Sequence, residues 1–81
     1  MNGYVRISNE LYHEFEMAAK RKQECELTFV DNKDEINIKT KIKKFDNIDG
    51  TEYMDTEDGN RIRLDRIVLF NGEETKEMNH Y

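Results

Sequence analysis

The sequence predicts one mostly β domain, with a single N-terminal α-helix followed by five short antiparallel strands curled into a small barrel. Three observations carry that expectation. Apolar residues recur at three- and four-residue spacing only between positions 9 and 22. From Cys25 onward they alternate with polar ones at period two. The chain has no proline to break a strand, and Gly50, Gly59 and Gly72 fall at the joints between alternating runs. At 81 residues there is room for one domain, near the lower end of what folds alone.

Tyr4-Val5-Arg6-Ile7 reads as a short extended lead-in. Ser8 or Asn9 can then cap a helix by accepting from the orphan amides of its first turn. Within 9–22, Leu11, Phe15, Ala18, Ala19 and Lys22 share the helical spacing. Charge order agrees, because Glu10, Glu14 and Glu16 lie early and Lys20-Arg21-Lys22 late, which suits the helix macrodipole.

Cys25, Leu27 and Phe29 alternate with Glu24, Glu26 and Thr28 to make a half-buried first strand. Asp31 to Asp34 supplies turn residues. Ile36, Ile38, Thr40 and Ile42 then face one way, opposite Asn37, Lys39, Lys41 and Lys43. Phe45 breaks that parity, which predicts a bulge or sharp bend near Lys43-Lys44. Residues 46–50 read as a loop and 51–56 as a third strand. Glu57-Asp58-Gly59-Asn60 reads as a hairpin turn, with Gly59 free to take positive φ. Ile62 and Leu64 alternate in a fourth strand. The fifth, Ile67-Val68-Leu69-Phe70, is apolar on both faces and so must be central or covered, and Asn71-Gly72 ends it. The long bent second strand lets one curved sheet fold over itself beneath the helix, an Sm-like small-barrel layout. The domain is expected to span 4–72, leaving 73–81 as a flexible acidic tail.

Composition excludes several classes. The net charge of −5 is the wrong sign for a protein whose main task is gripping phosphate backbones. No apolar run approaches the roughly 20 residues of a membrane span, and the opening residues lack the pattern of a signal peptide. A single cysteine, Cys25, excludes an internal disulfide and makes a reducing cytoplasm the expected location.

Catalytic and metal chemistry find little support. His13, Cys25 and His80 are far apart in sequence, and Cys25 falls on the expected core face. His13 stands at helical spacing from Glu10 and Glu16 and can pair with either. No nucleophile motif or Gly-rich phosphate loop is present, and Asp58-Gly59-Asn60 lacks the ligand series of a calcium loop. No catalytic residue, metal or cofactor is therefore expected.

Two charged features remain. Lys39, Lys41, Lys43 and Lys44 form a basic strand face without interleaved aromatics, so it reads as a solvated or edge-protecting face more readily than as a nucleic-acid track. The acidic bias is uneven, with residues 1–50 net −1 and residues 51–81 net −4. Glu10, Glu14 and Glu16 add a local acidic face beside Tyr12. Such a face suits either plain solvation or a basic nucleic-acid-binding groove on another protein.

The segment Tyr4-Val5-Arg6-Ile7-Ser8-Asn9-Glu10-Leu11-Tyr12-His13-Glu14-Phe15-Glu16-Met17-Ala18-Ala19 resembles the opening of the Rho-binding antiterminator family, the modulators of Rho-dependent termination. Glu52-Tyr53-Met54 and Ile62-Arg63-Leu64-Asp65-Arg66-Ile67 are similar to that family's second signature. The resemblance covers about residues 4–70. It implies an Sm-like barrel with an N-terminal helix, and a non-enzymatic inhibitor that binds the hexameric helicase Rho at its primary RNA-binding domain and blocks RNA loading. Carried over by position, the partner contacts would be Glu10, Tyr12, His13 and Glu14 of the helix, with Asp46 and Asn47. The chain departs from the family at His13, where an acidic residue would suit a basic groove better, and at Asp31-Asn32, where an Asp-Gly turn is usual. Arg63 and Asp65 read as a structural cross-strand pair. The expected partner is thus Rho, with no direct nucleic acid, no membrane and a monomeric chain. The alternative is an Sm-like RNA-binding subunit that assembles into a ring through its edge strands, with Lys39, Lys41, Lys43 and Lys44 lining the RNA path.

Overall fold

A computed structural model describes residues 5–75. The fold is mostly β with one helix. Helix α1 (Asn9–Lys20) precedes β1 (Glu24–Asp31), β2 (Asp34–Ile48), β3 (Thr51–Thr56), β4 (Arg61–Arg63), a 3-10 turn (Leu64–Arg66), β5 (Ile67–Phe70) and β6 (Glu73–Glu74).

Local chemistry explains the helix ends. Ser8 is the N-cap, and its hydroxyl accepts from the Leu11 amide at 3.2 Å. The helix stops at Lys20, earlier than residue 22, because Lys22 turns left-handed at φ 53°. The Lys22 amide then donates to Ala19 O and the Gln23 amide to Ala18 O, a Schellman closure of the last carbonyls.

All strand pairings are antiparallel, and the order across the sheet is β4-β3-β2-β1-β5-β6. β2 belongs to both halves. Its first part pairs with β1 and its last part with β3, and the register shifts between Ile42 and Lys44, at the place where broken parity predicts a bulge. That extra residue turns Phe45 to the same side as Ile42 and bends the strand.

Three expectations are corrected. The sheet is open and six-stranded, not a closed barrel of five: β4 lasts only three residues before the 3-10 turn carries the chain away, and among the described strands it pairs with β3 alone. Residues 46–48 are strand, not loop, because Asp49 (φ 53°) and Gly50 (φ 84°) make the reversal by themselves and Ile48 pairs with Thr51. Asn71 and Gly72 end β5 as expected, but the sheet continues beyond them. Both take positive φ and form a two-residue hairpin that brings Glu73 opposite Phe70. Thr75 follows, buried, with its hydroxyl donating to Ile67 O at 2.7 Å. The fold therefore extends past residue 72, and the rest of the expected tail, residues 76–81 with Met78, His80 and Tyr81, lies outside the described residues.

The core sits between α1 and the concave face of the sheet. Ile7, Leu11, Phe15 and Ala18 meet Cys25, Leu27, Ile42, Met54, Leu64 and Phe70. Phe15 is fully buried and meets Phe70 edge-on, ring centroids 5.0 Å apart. Among the described residues no helix is long and apolar enough to cross a membrane.

Candidate functional site

Burying Leu11, Phe15 and Ala18 fixes the rotation of α1 and so decides where its polar residues point. Glu10, His13 and Glu14 share one flank. They line a shallow hollow of about 450 Å³ together with Glu73, which the Asn71-Gly72 hairpin delivers from β6. Three carboxylates thus surround His13 on an exposed surface.

Tyr12 lies on the opposite flank. Its ring packs against Phe45 of β2, centroids 5.3 Å apart and planes tilted by 37°. Burial raises the phenol above its ordinary value, and the nearby charges of Glu52 and Glu16 raise it further. Tyr12 is half-buried and belongs partly to the packing of the helix on the sheet.

Asp46 and Asn47 are neighbours in sequence but serve different ends, because successive strand residues face opposite sides. Asp46 lies opposite Tyr53, and its carboxylate accepts from Arg61 Nη2 at 3.1 Å. Arg61 also forks onto Asp55, donating from Nε at 2.8 Å and from Nη2 at 2.9 Å. That hydrogen bond, with the charges of Arg61, Lys44 and Lys43, holds the Asp55 carboxyl below the ordinary aspartate range. Asn47 closes the β2–β3 turn, where its Oδ1 accepts from the Gly50 amide at 3.1 Å.

The fold therefore brings Glu10, His13 and Glu14 together, sets Tyr12 on the other flank, and gives Asp46 and Asn47 local bonds of their own. Sequence reasoning missed Glu73. The Asn-Gly pair was the available signal, since it is the strongest short-range mark of a hairpin and not merely of a strand end. Glu52 and Phe45 were missed as neighbours of Tyr12, because nothing in sequence spacing relates them to the helix.

Arg63 and Asp65 pair as expected, but within one turn and not across strands. Arg63 donates from Nε at 2.9 Å and from Nη2 at 2.6 Å to the Asp65 carboxylate, which also accepts from the Val5 amide at 3.1 Å. Across the strands, Arg63 lies opposite Tyr53. Asp65 thus clamps the chain before the helix to the 3-10 turn.

On the other sheet face, Lys39 stands opposite Glu26 and Lys41 opposite Glu24. β1 thus balances the first two lysines of the basic run, while Lys44 lies 3.8 Å from Asp55 of β3. Cys25 lies in the core, and burial pushes its thiol up. Among the described residues, no three His, Cys, Asp or Glu side chains are placed to hold a metal ion. Comparison with protein families, curated proteins and solved structures finds no match to this chain.

Proposed function

We propose that this chain is a non-enzymatic inhibitor of the termination factor Rho, binding the primary RNA-binding domain of the hexameric helicase and blocking RNA loading. The observation that carries the reading is the exposed flank of Glu10, His13 and Glu14, enlarged by Glu73. A groove that receives phosphates is lined by cations, and a folded surface with several carboxylates on one rim competes for the same charge. The choice of Rho rests on the resemblance of residues 4–19, 52–54 and 62–67 to the antiterminator family.

The Sm-like reading of the fold draws on the element order. The helix comes first, the bent β2 serves both halves of the sheet, and one 3-10 turn carries β4 into β5. A ring of such subunits would need the two sheet edges to pair. Those edges are β4, of three residues, and β6, of two, both glutamate. Edges this short offer few main-chain hydrogen bonds to a second copy, which favours the monomeric inhibitor.

Binding of the purified chain to Rho, measured at several salt concentrations and with competing oligocytidylate, tests the reading. Glu10→Lys with Glu14→Lys reverses two exposed charges and is expected to weaken binding roughly tenfold, about 1.4 kcal/mol. Circular dichroism checks that the helix remains. Full binding by the double variant would remove the helix flank from the interface, and no binding by the native chain would remove Rho.

A further inference from the structure

Among the described residues, Asn71 is the one asparagine followed by glycine, and both lie exposed at the tip of the β5–β6 hairpin. Asn71 does two jobs there. Its amide donates to Glu26 O at 2.8 Å, and its Oδ1 accepts from the Glu26 amide at 2.9 Å. The main chain has already turned left-handed at φ 52°, so the side-chain carbonyl completes the β1–β5 ladder beyond Leu27 and Phe70. The element that follows is weakly held. β6 has two residues, Glu74 opposite Leu69 and Glu73 opposite Phe70. The buried Thr75 hydroxyl, donating to Ile67 O at 2.7 Å, anchors its end. So short an element belongs to the low-stability end of a fold and opens before the core does.

We propose that Asn71 is a deamidation site gated by this hairpin: the closed hairpin spares it, and the open one lets its side chain cyclise onto Gly72. In the reaction the Gly72 main-chain nitrogen attacks Asn71 Cγ. A Cγ–N bond forms, the Cγ–Nδ2 bond breaks, and the side-chain nitrogen leaves as ammonia with the proton of the Gly72 amide. Water then opens the cyclic imide. Cleavage at Cγ gives aspartate, and cleavage at the main-chain carbonyl gives isoaspartate, whose chain runs through Cβ and Cγ. Glycine is the follower this attack needs, because no Cβ crowds the nucleophilic nitrogen. The closed hairpin opposes it, because the Oδ1 bond to the Glu26 amide holds the side chain against β1 and must break before Cγ swings to Gly72.

The two products differ in consequence. Aspartate keeps an acceptor for the Glu26 amide. Isoaspartate adds a backbone atom to a turn whose type is set by its length, so Glu73 loses its place opposite Phe70. Glu73 is the residue that the hairpin delivers to Glu10, His13 and Glu14. Isoaspartate therefore strips one carboxylate from the acidic flank. That this alters a partner's affinity rests on the Rho reading, whereas the modification does not.

Peptide mapping by mass spectrometry, with enzymatic isoaspartyl methylation, follows position 71 in the native chain and in guanidinium at neutral pH. Mapping separates it from the other Asn-Gly pair, Asn2-Gly3, which lies outside the described residues. Aspartate and isoaspartate are expected at 71 in both conditions, forming roughly tenfold more slowly in the folded chain. Thr75→Val should speed the folded reaction roughly fivefold by loosening β6. Asp65→Ala costs more overall stability but leaves β6 in place, so the rate should stay near that of the native chain. No product at 71 in guanidinium would remove the site, and equal folded and denatured rates would remove the gate. Asp65→Ala outpacing Thr75→Val would trace the product to global unfolding instead. In the purified isoaspartate form the Glu73 and Thr75 amide signals should shift while those of α1 stay. Unmoved Glu73 would overturn its release from the flank.

Discussion

Tyr12 of α1 packs on Phe45 of β2, centroids 5.3 Å apart, immediately beyond the bulge that bends the strand. The contact joins the helix to the far half of the sheet, while Phe15 against Phe70 joins it to the near half. One helix thereby braces both halves of a sheet that does not close on itself.

Tyr12→Ala is expected to destabilise the fold by about 1–2 kcal/mol through lost burial and the lost aromatic pair. Tyr12→Phe should cost much less because the ring remains. Urea unfolding of the two variants measures the difference. A partner assay on Tyr12 needs the Phe variant, since the Ala variant confounds contact with packing.

Asp65→Ala should cost about 3 kcal/mol, because it removes the carboxylate that two donors of the partly buried Arg63 guanidinium and the Val5 amide share. Asp65→Asn keeps an acceptor and should cost less. If the Ala variant unfolds in urea like the native chain, the clamp contributes nothing.

Acid should weaken the Asp55–Arg61 fork. The folded-state value of Asp55 is depressed, so the unfolded chain binds the proton more readily. Its contribution is full above the ordinary aspartate value near pH 4 and is lost as pH falls through the lower folded value. The stability gap between the native chain and Asp55→Asn should therefore be constant near neutrality and close in acid. A gap that widens in acid would reverse the assignment.

Thr75→Val keeps the shape of the side chain and removes the buried hydrogen bond to Ile67 O. An expected loss of about 1–2 kcal/mol, read from thermal unfolding, would place β6 and its flank inside the cooperative unit. Truncation after Asn71 should cost more than this single change, because it also removes the β5–β6 pairing.

Cys25 should react slowly with a thiol reagent at neutral pH, since burial both shields the sulfur and raises its pKa. In denaturant the rate should rise to that of a free cysteine. Fast labelling of the folded chain would contradict the burial.

Much of the fold was legible from local pattern. The Ser8 cap, the helical stripe of Leu11, Phe15 and Ala18, and the alternation from Cys25 through Ile42 each reflect chemistry within a few residues. Even the bulge near Lys43 is written as a break in parity, because one added strand residue flips every later side chain. Those features made a helix followed by antiparallel strands the expectation. Tertiary structure alone decided the rest. It left the sheet open because β4 runs out of residues, set Tyr12 and Glu14 on opposite flanks, brought Glu73 to His13, and gave Arg61 to Asp46 and Asp55. The last two join residues from separate elements, and their meeting depends on helix rotation and strand register, which packing sets after the local pattern has formed.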